Sequence, residues 1–450
     1  MPGVRVRVDL GRGAAAARRL AEGTVLRDVV DVGAPASWLE LDEGVRSSEW
    51  SYSLHVPTAW EQSEGGQALA AALRSGEPLT ESQLALALCH RDGRIRGAVL
   101  GRVADRPDLL PLLVLRCADW AEPVRRRARG QLSELLDAGR AVALLPLILR
   151  IERRRRAGFV TELADGLLRE APRDVLTPLY TDPDRVVRRF AHRLAVERGL
   201  LSPVELARVA AREEDAVVQT LCAEAAVAAI TEGDPYDGVL EPLLGARSPR
   251  VRSVGVTALR RAGRAAEAVG FLADRSGLVR ACARYAVRQR GIDPLPWYRE
   301  RCADPGDPAL PPGAAVGLAE CGGRADAEAL WALLAHPVPR VRAQAVAGLR
   351  VLDTADARRL WPLLDDPAPG VVREVLLAVL PSPALARWEW LAERLRAERP
   401  RHVRVAAFRL ALEQGGSVLE QAAVVLRDDP DPLVRERAAR VAVPGPRRRP

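Results

Sequence analysis

The sequence predicts an all-α fold, a right-handed α-solenoid of about twelve helical-hairpin repeats with a small irregular N-terminal segment. Three observations carry this. Val279-Arg280, Val341-Arg342, Val372-Arg373, Val403-Arg404 and Val434-Arg435 fall on a spacing of thirty-one residues, with Leu310 in the one register that lacks the Arg. A period between 20 and 50 residues is the mark of stacked repeats. Small or apolar residues recur four and eight positions after each anchor (Ala283 and Val287, Ala314 and Leu318, Ala345 and Leu349), which places all three on one helical stripe. Finally, Gly199, Gly263, Gly291, Gly322 and Gly415 each stand twelve residues after an anchor, where a helix needs a left-handed terminating residue.

Residues 1–78 do not fit the period and are expected to form a cap or appendage. Val4, Val6, Val8 and Leu10 alternate with polar residues as in a half-buried strand, and so do Trp50, Tyr52, Leu54 and Val56. Between them Gly11-x-Gly13-x-x-Ala16, with Asp31 downstream, superficially matches a dinucleotide fingerprint. A first strand of that fold is buried on both faces and continuously apolar, whereas Arg5 and Arg7 interrupt this one. No cofactor is therefore assigned.

The array is expected over residues 79–443. Thr80 and Gln83 form a capping box, and the chain turns at His90-Arg91-Asp92-Gly93 into a second helix whose anchor is Ile95. Val124, Val187, Val218 and Val251 continue the series. The step from Val124 to Val187 is double, so a further repeat is expected near Arg155. Prolines agree, because Pro178, Pro242 and Pro362 lie nine or ten residues before an anchor and Pro146 lies nine before position 155. Trp331 and Trp361 occupy equivalent Leu-Trp-x-Leu-Leu phrases and are read as core. Residues 444–450 read as a basic disordered tail.

The phrases Asp182-Pro-Asp-Arg-Val-Val-Arg188, Asp274-Arg-Ser-Gly-Leu-Val-Arg280 and Asp429-Pro-Asp-Pro-Leu-Val-Arg435 resemble HEAT repeats of the short, phycobilisome-lyase HEAT-like type. The resemblance covers about residues 80–443 and implies a HEAT/armadillo-like superhelix. It also implies a ladder of Asp and Arg between neighbouring repeats, a spacing that Asp119 and Arg125 keep. His336 and Glu398 replace the Asp, and Gln219 and Pro311 replace the Arg, so the ladder should be weakest there, at sites of changed curvature. The motif speaks to fold and hardly to function.

All 67 basic residues are Arg, and there is no Lys or Asn and one Met, the composition expected of a GC-rich coding sequence. The net charge of +8 is uneven, since residues 121–200 hold 17 Arg against 11 acids. The six cysteines show no C-x-x-C spacing and read as buried apolar residues of a reduced compartment. Neither a signal-peptide core nor a stretch of eighteen uncharged apolar residues is present, so no membrane role and a cytoplasmic location are expected.

Positions two and six beyond each anchor should be solvated on the inner helix. Arg126, Arg189 and Arg193 occupy them early, but Ser253, Thr257, Ala343, Ala347, Glu374 and Glu436 occupy them later, so no basic stripe runs the whole length. Trp120, Arg126, Arg153, Arg154, Arg155, Arg156, Arg189 and Arg193 form the candidate binding patch. It predicts a non-catalytic scaffold or adaptor whose concave face meets a partner protein with an acidic surface. The alternative is nucleic-acid binding by the same patch, with DNA alkylation-repair chemistry as a variant in which Asp119 and Trp120 are the nearest carboxylate–aromatic pair. No His is followed by Glu, so the di-iron motif of deoxyhypusine hydroxylases is absent, and no bilin motif is seen.

Overall fold

A computed structural model describes residues 10–46, 57–152, 156–230 and 236–442. Among these residues the regular structure is helical throughout, α with short 3-10 turns, and there is no strand. The two strands expected over residues 4–10 and 50–56 and the basic tail lie outside the described residues, apart from Leu10, which begins the helix Leu10–Ala21 rather than ending a strand. By its contacts the chain divides into two units, Met1–Ser202 with Asp215–Leu221, and Pro203–Glu214 with Cys222–Pro450.

The first unit begins with helices rather than an irregular cap. The Gly11-x-Gly13 motif lies inside the helix Leu10–Ala21, which packs against Pro35–Arg46. A side chain at Gly13 would come within 1.9 Å of the Glu40 carbonyl, and one at Gly44 within 2.1 Å of Gly13. These glycines let two backbones touch. The Asp31 carboxylate accepts from the Gly33 amide within its own turn, at 3.1 Å. Thr80 and Gln83 form the expected capping box at the start of Glu81–Cys89. Helical pairs follow, Leu110–Arg116 with Glu122–Leu135 and Ala138–Ile151 with Gly158–Glu170, around one core that reaches Leu194. The last pair fills the doubled step. Its buried stripe is Val160, Ala164 and Leu168, so the anchor falls five residues beyond position 155, after the arginine run.

In the second unit the second helices of the pairs pack in succession: Pro312–Cys321 on Pro339–Val351, that on Pro369–Val379, and that on Arg401–Gln414. The anchors Val279, Leu310, Val341, Val372, Val403 and Val434 are all buried. Small residues set the approach, since a Cβ on Gly317 would fall 2.3 Å from the Tyr298 ring and one on Gly313 2.2 Å from the Ala273 carbonyl. The same closeness overturns one expectation. Ala343 and Glu374, two residues past their anchors, are buried rather than solvated, and Ala347 is half-buried. Gly199, Gly263, Gly291 and Gly415 adopt the left-handed φ expected of terminating residues, at 62°, 71°, 73° and 68°. Gly322 does not, with φ −87°, and is small for another reason: a Cβ there would lie 2.5 Å from the Asp326 carboxylate.

The first helices of the pairs are short and often 3-10, as Thr177–Thr181 and Trp361–Asp365 show. Pro178 and Pro362 sit in those turns, where a missing N–H interrupts α-helical bonding. Trp331 and Trp361 pack on the core but are half-buried rather than interior. Arg359 covers Trp331 at 3.9 Å from the ring centre, and Trp361 tilts against Trp390 at 5.0 Å.

Candidate functional site

The site is built on the turns between the first and second helices of the pairs, where one arginine performs two tasks. Arg96 donates through Nη1 to the carbonyls of His90 and Arg91, at 2.7 and 2.9 Å, closing its own turn. Through Nε and Nη2 it grips Asp119 of the next turn, at 2.8 and 2.7 Å. Asp119 in turn accepts from the Ala121 amide at 2.9 Å and so holds the start of Glu122–Leu135. The arrangement repeats with Arg252 and Asp274, Arg342 and Asp366, and Arg404 and Asp429. Within one phrase the Arg six residues after the Asp therefore bonds the carbonyl of that Asp, as Arg125, Arg188 and Arg280 do, while carboxylate and guanidinium pair across consecutive turns.

The irregular rungs keep this geometry by other means. Arg280 meets Glu320, which Arg284 also holds. Arg189, one place beyond the usual position, reaches Asp215 at 2.9 and 2.7 Å. His336 stands in an Asp position after a phrase whose Arg is Pro311. Its Nδ1 accepts from the Val338 amide at 3.0 Å, and its Nε2 lies 2.8 Å from the Asp307 carbonyl, so the ring carries its proton on Nε2. A neutral acceptor thus replaces the carboxylate where the preceding cation is missing.

Asp119 has the densest surroundings. Arg116 reaches it at 3.2 Å and also pairs with buried Asp42, which Arg46 holds at 2.6 Å. Burial alone would raise the Asp119 carboxyl, but hydrogen bonding from Arg96, the nearby Arg116 charge and the Ala121 amide bring it below the usual carboxylate range. Every one of these partners is structural. The Asp119 carboxylate of the Asp119–Trp120 pair is thus engaged by Arg96, Arg116 and the Ala121 amide.

Trp120 is 63 % exposed at the start of the helix Glu122–Leu135, with the Arg96 guanidinium 5.6 Å from its ring centre. Arg126 lies on the first turn of that helix, exposed and paired with Glu122. This surface pair contributes about 0.3–0.5 kcal/mol and leaves the guanidinium available. Arg156 is exposed, and its carbonyl accepts from Arg129 further along the same helix at 2.9 Å. Arg153, Arg154 and Arg155 lie outside the described residues. Arg189 is committed to Asp215, while Arg193 on Arg185–Glu197 is exposed. Of the expected patch, then, Trp120 and Arg126 share one helix start and Arg189 is withdrawn into a rung. Arg96, absent from the expected patch, supports this site from the place directly after the Ile95 anchor.

Comparison with protein-family models gives no match, and comparison with curated proteins gives none. No helix among the described residues is long and apolar enough to cross a membrane.

Proposed function

We propose that the chain is a HEAT-like, right-handed α-solenoid of about twelve repeats, and that it acts as a non-catalytic scaffold binding an acidic partner protein. The recurrent Arg–Asp rungs and the succession of packed second helices support the architecture. The exposure of Trp120 carries the functional reading. A large aromatic surface held beside a guanidinium that is itself fixed by four hydrogen bonds loses little freedom on binding, and aromatic and Arg side chains dominate interface hot spots. Arg126 supplies a steering charge at the same helix start.

The test compares affinity capture by the wild-type chain with capture by Trp120→Ala and Arg126→Glu. A specific partner retained by the wild type and lost from both variants, with unchanged circular dichroism, is the expected result. Capture indifferent to both substitutions would remove this surface from the reading. Duplex DNA titrated at several ionic strengths separates the nucleic-acid alternative, which requires a steep linear fall of log affinity with log salt.

A further inference from the structure

A second concave feature of the first unit is built from side chains that the rungs do not use. A cavity of about 590 Å³ opens between the helix Glu64–Ser75 and the turn and helix around residues 90–98. Trp60 and Leu69, 4 % and 2 % exposed, line it together with half-buried Leu73 and Ile95. Ile95 is the one anchor of the series that is incompletely buried, because its side chain forms part of this wall. The Trp60 indole N–H is already satisfied by the Val45 carbonyl at 3.0 Å, so the ring offers the cavity an apolar face.

The polar lining is cationic. Glu61 is its one acid, and it is fully engaged by His90 at 3.0 Å, Arg91 at 3.3 Å and the amide and hydroxyl of Thr58 at 2.6 and 2.9 Å. Burial would raise this carboxyl, but the bonds from His90 and Thr58, with Arg91 beside it, hold it down to about 2. It is therefore ionised, and it offsets one of the three arginines Arg74, Arg91 and Arg94. Arg74 and Arg94 are exposed on the lining and make no ion pair among the described residues. An apolar hollow of this size with two uncommitted guanidinium groups fits one kind of occupant.

We propose that this cavity binds an amphipathic anion, a single oxyanion head held by Arg74 and Arg94 with its hydrocarbon body against Trp60, Leu69 and Ile95. A carboxylate and a phosphate monoester share this chemistry. Titration calorimetry of the full chain with octanoate, octyl phosphate and octanol distinguishes the two heads and isolates the role of charge. Saturable one-site binding of at least one anion, roughly tenfold or more tighter than octanol, is expected. Arg74→Gln with Arg94→Gln should weaken the anion by a similar factor and leave octanol unchanged. Ala70→Trp, at an exposed position on the lining, should fill the cavity and abolish binding. Thermal melts and circular dichroism establish that both variants are folded. Equal affinity for octanol and the anions, unchanged binding in the double Gln variant, persistence in Ala70→Trp, or no saturation by any probe would each overturn the proposal.

Discussion

The rung at Asp119 in the first unit and the rung at His336 in the second hold similar turns with opposite electrostatics. Asp119 is ionised, buried and gripped by Arg96 and Arg116, whereas His336 is wholly buried, offers a ring nitrogen to its turn and faces a backbone carbonyl where the other rungs present a guanidinium. Both accept the amide two residues on, the shared requirement of the turn. The preceding phrase supplies Arg96 in the first case and Pro311 in the second. A carboxylate there without its cation would be buried and uncompensated.

Acid should produce the largest effect, because it acts on several rungs at once. Burial would raise the carboxyls of Asp119 and Asp274, but the hydrogen bonds from Arg96 and Arg252 bring both below their ordinary range. Their folded values are depressed, so the stabilisation is complete above the unfolded carboxyl value of about 3.9 and is lost as pH falls through the folded values. Melting temperature should therefore hold from neutrality to about pH 5 and drop below about pH 4. A melting temperature that stayed flat to pH 2 would remove the charged rungs from the account. Asp119→Asn should lower unfolding free energy by about 3–5 kcal/mol in urea titrations, since Arg96 and Arg116 keep buried charges without their shared counter-ion.

The same change at Asp366, which answers Arg342 alone, should cost about 1.5–3 kcal/mol. If the two losses were equal, the extra partners of Asp119 would contribute nothing. His336→Asp should destabilise by about 1–3 kcal/mol despite restoring the repeat's usual residue, and Pro311→Arg in the same chain should recover part of that loss. A double-mutant cycle without coupling would contradict the pairing rule. Trp120→Ala should change stability by less than about 0.5 kcal/mol, because the ring is mostly in solvent. A larger loss would mark Trp120 as packing and undercut its assignment to a partner.

Anchors, all-helical class and four terminating glycines could be read from the chain because each depends on residues within one or two turns. The anchors are apolar at helical spacing, and Gly199, Gly263, Gly291 and Gly415 answer a local backbone demand. Features that depend on distant residues were concealed. Nothing near Gly322 in sequence distinguishes its role against Asp326 from that of the other glycines, and nothing near Asp42 announces Arg116, 74 residues away. The candidate patch divided for the same reason. Arg189 and Arg126 look alike in register, and only the position of Asp215 withdraws one and leaves the other exposed. The cavity beside Trp60 draws on residues before and after the first anchor, so neither the period nor the capping motif could show it.

The two-handed arginine also has a consequence for how the repeats differ in length. Its ends measure only two turns, and the sequence separation between them is 22 residues from Arg252 to Asp274 but 25 from Arg404 to Asp429. Everything between can lengthen, shorten or exchange an α-helical turn for a 3-10 turn while the clasp still closes. The first helices of the pairs are thus the part that varies from repeat to repeat, in length and in α or 3-10 form, while the same few atoms close the corners.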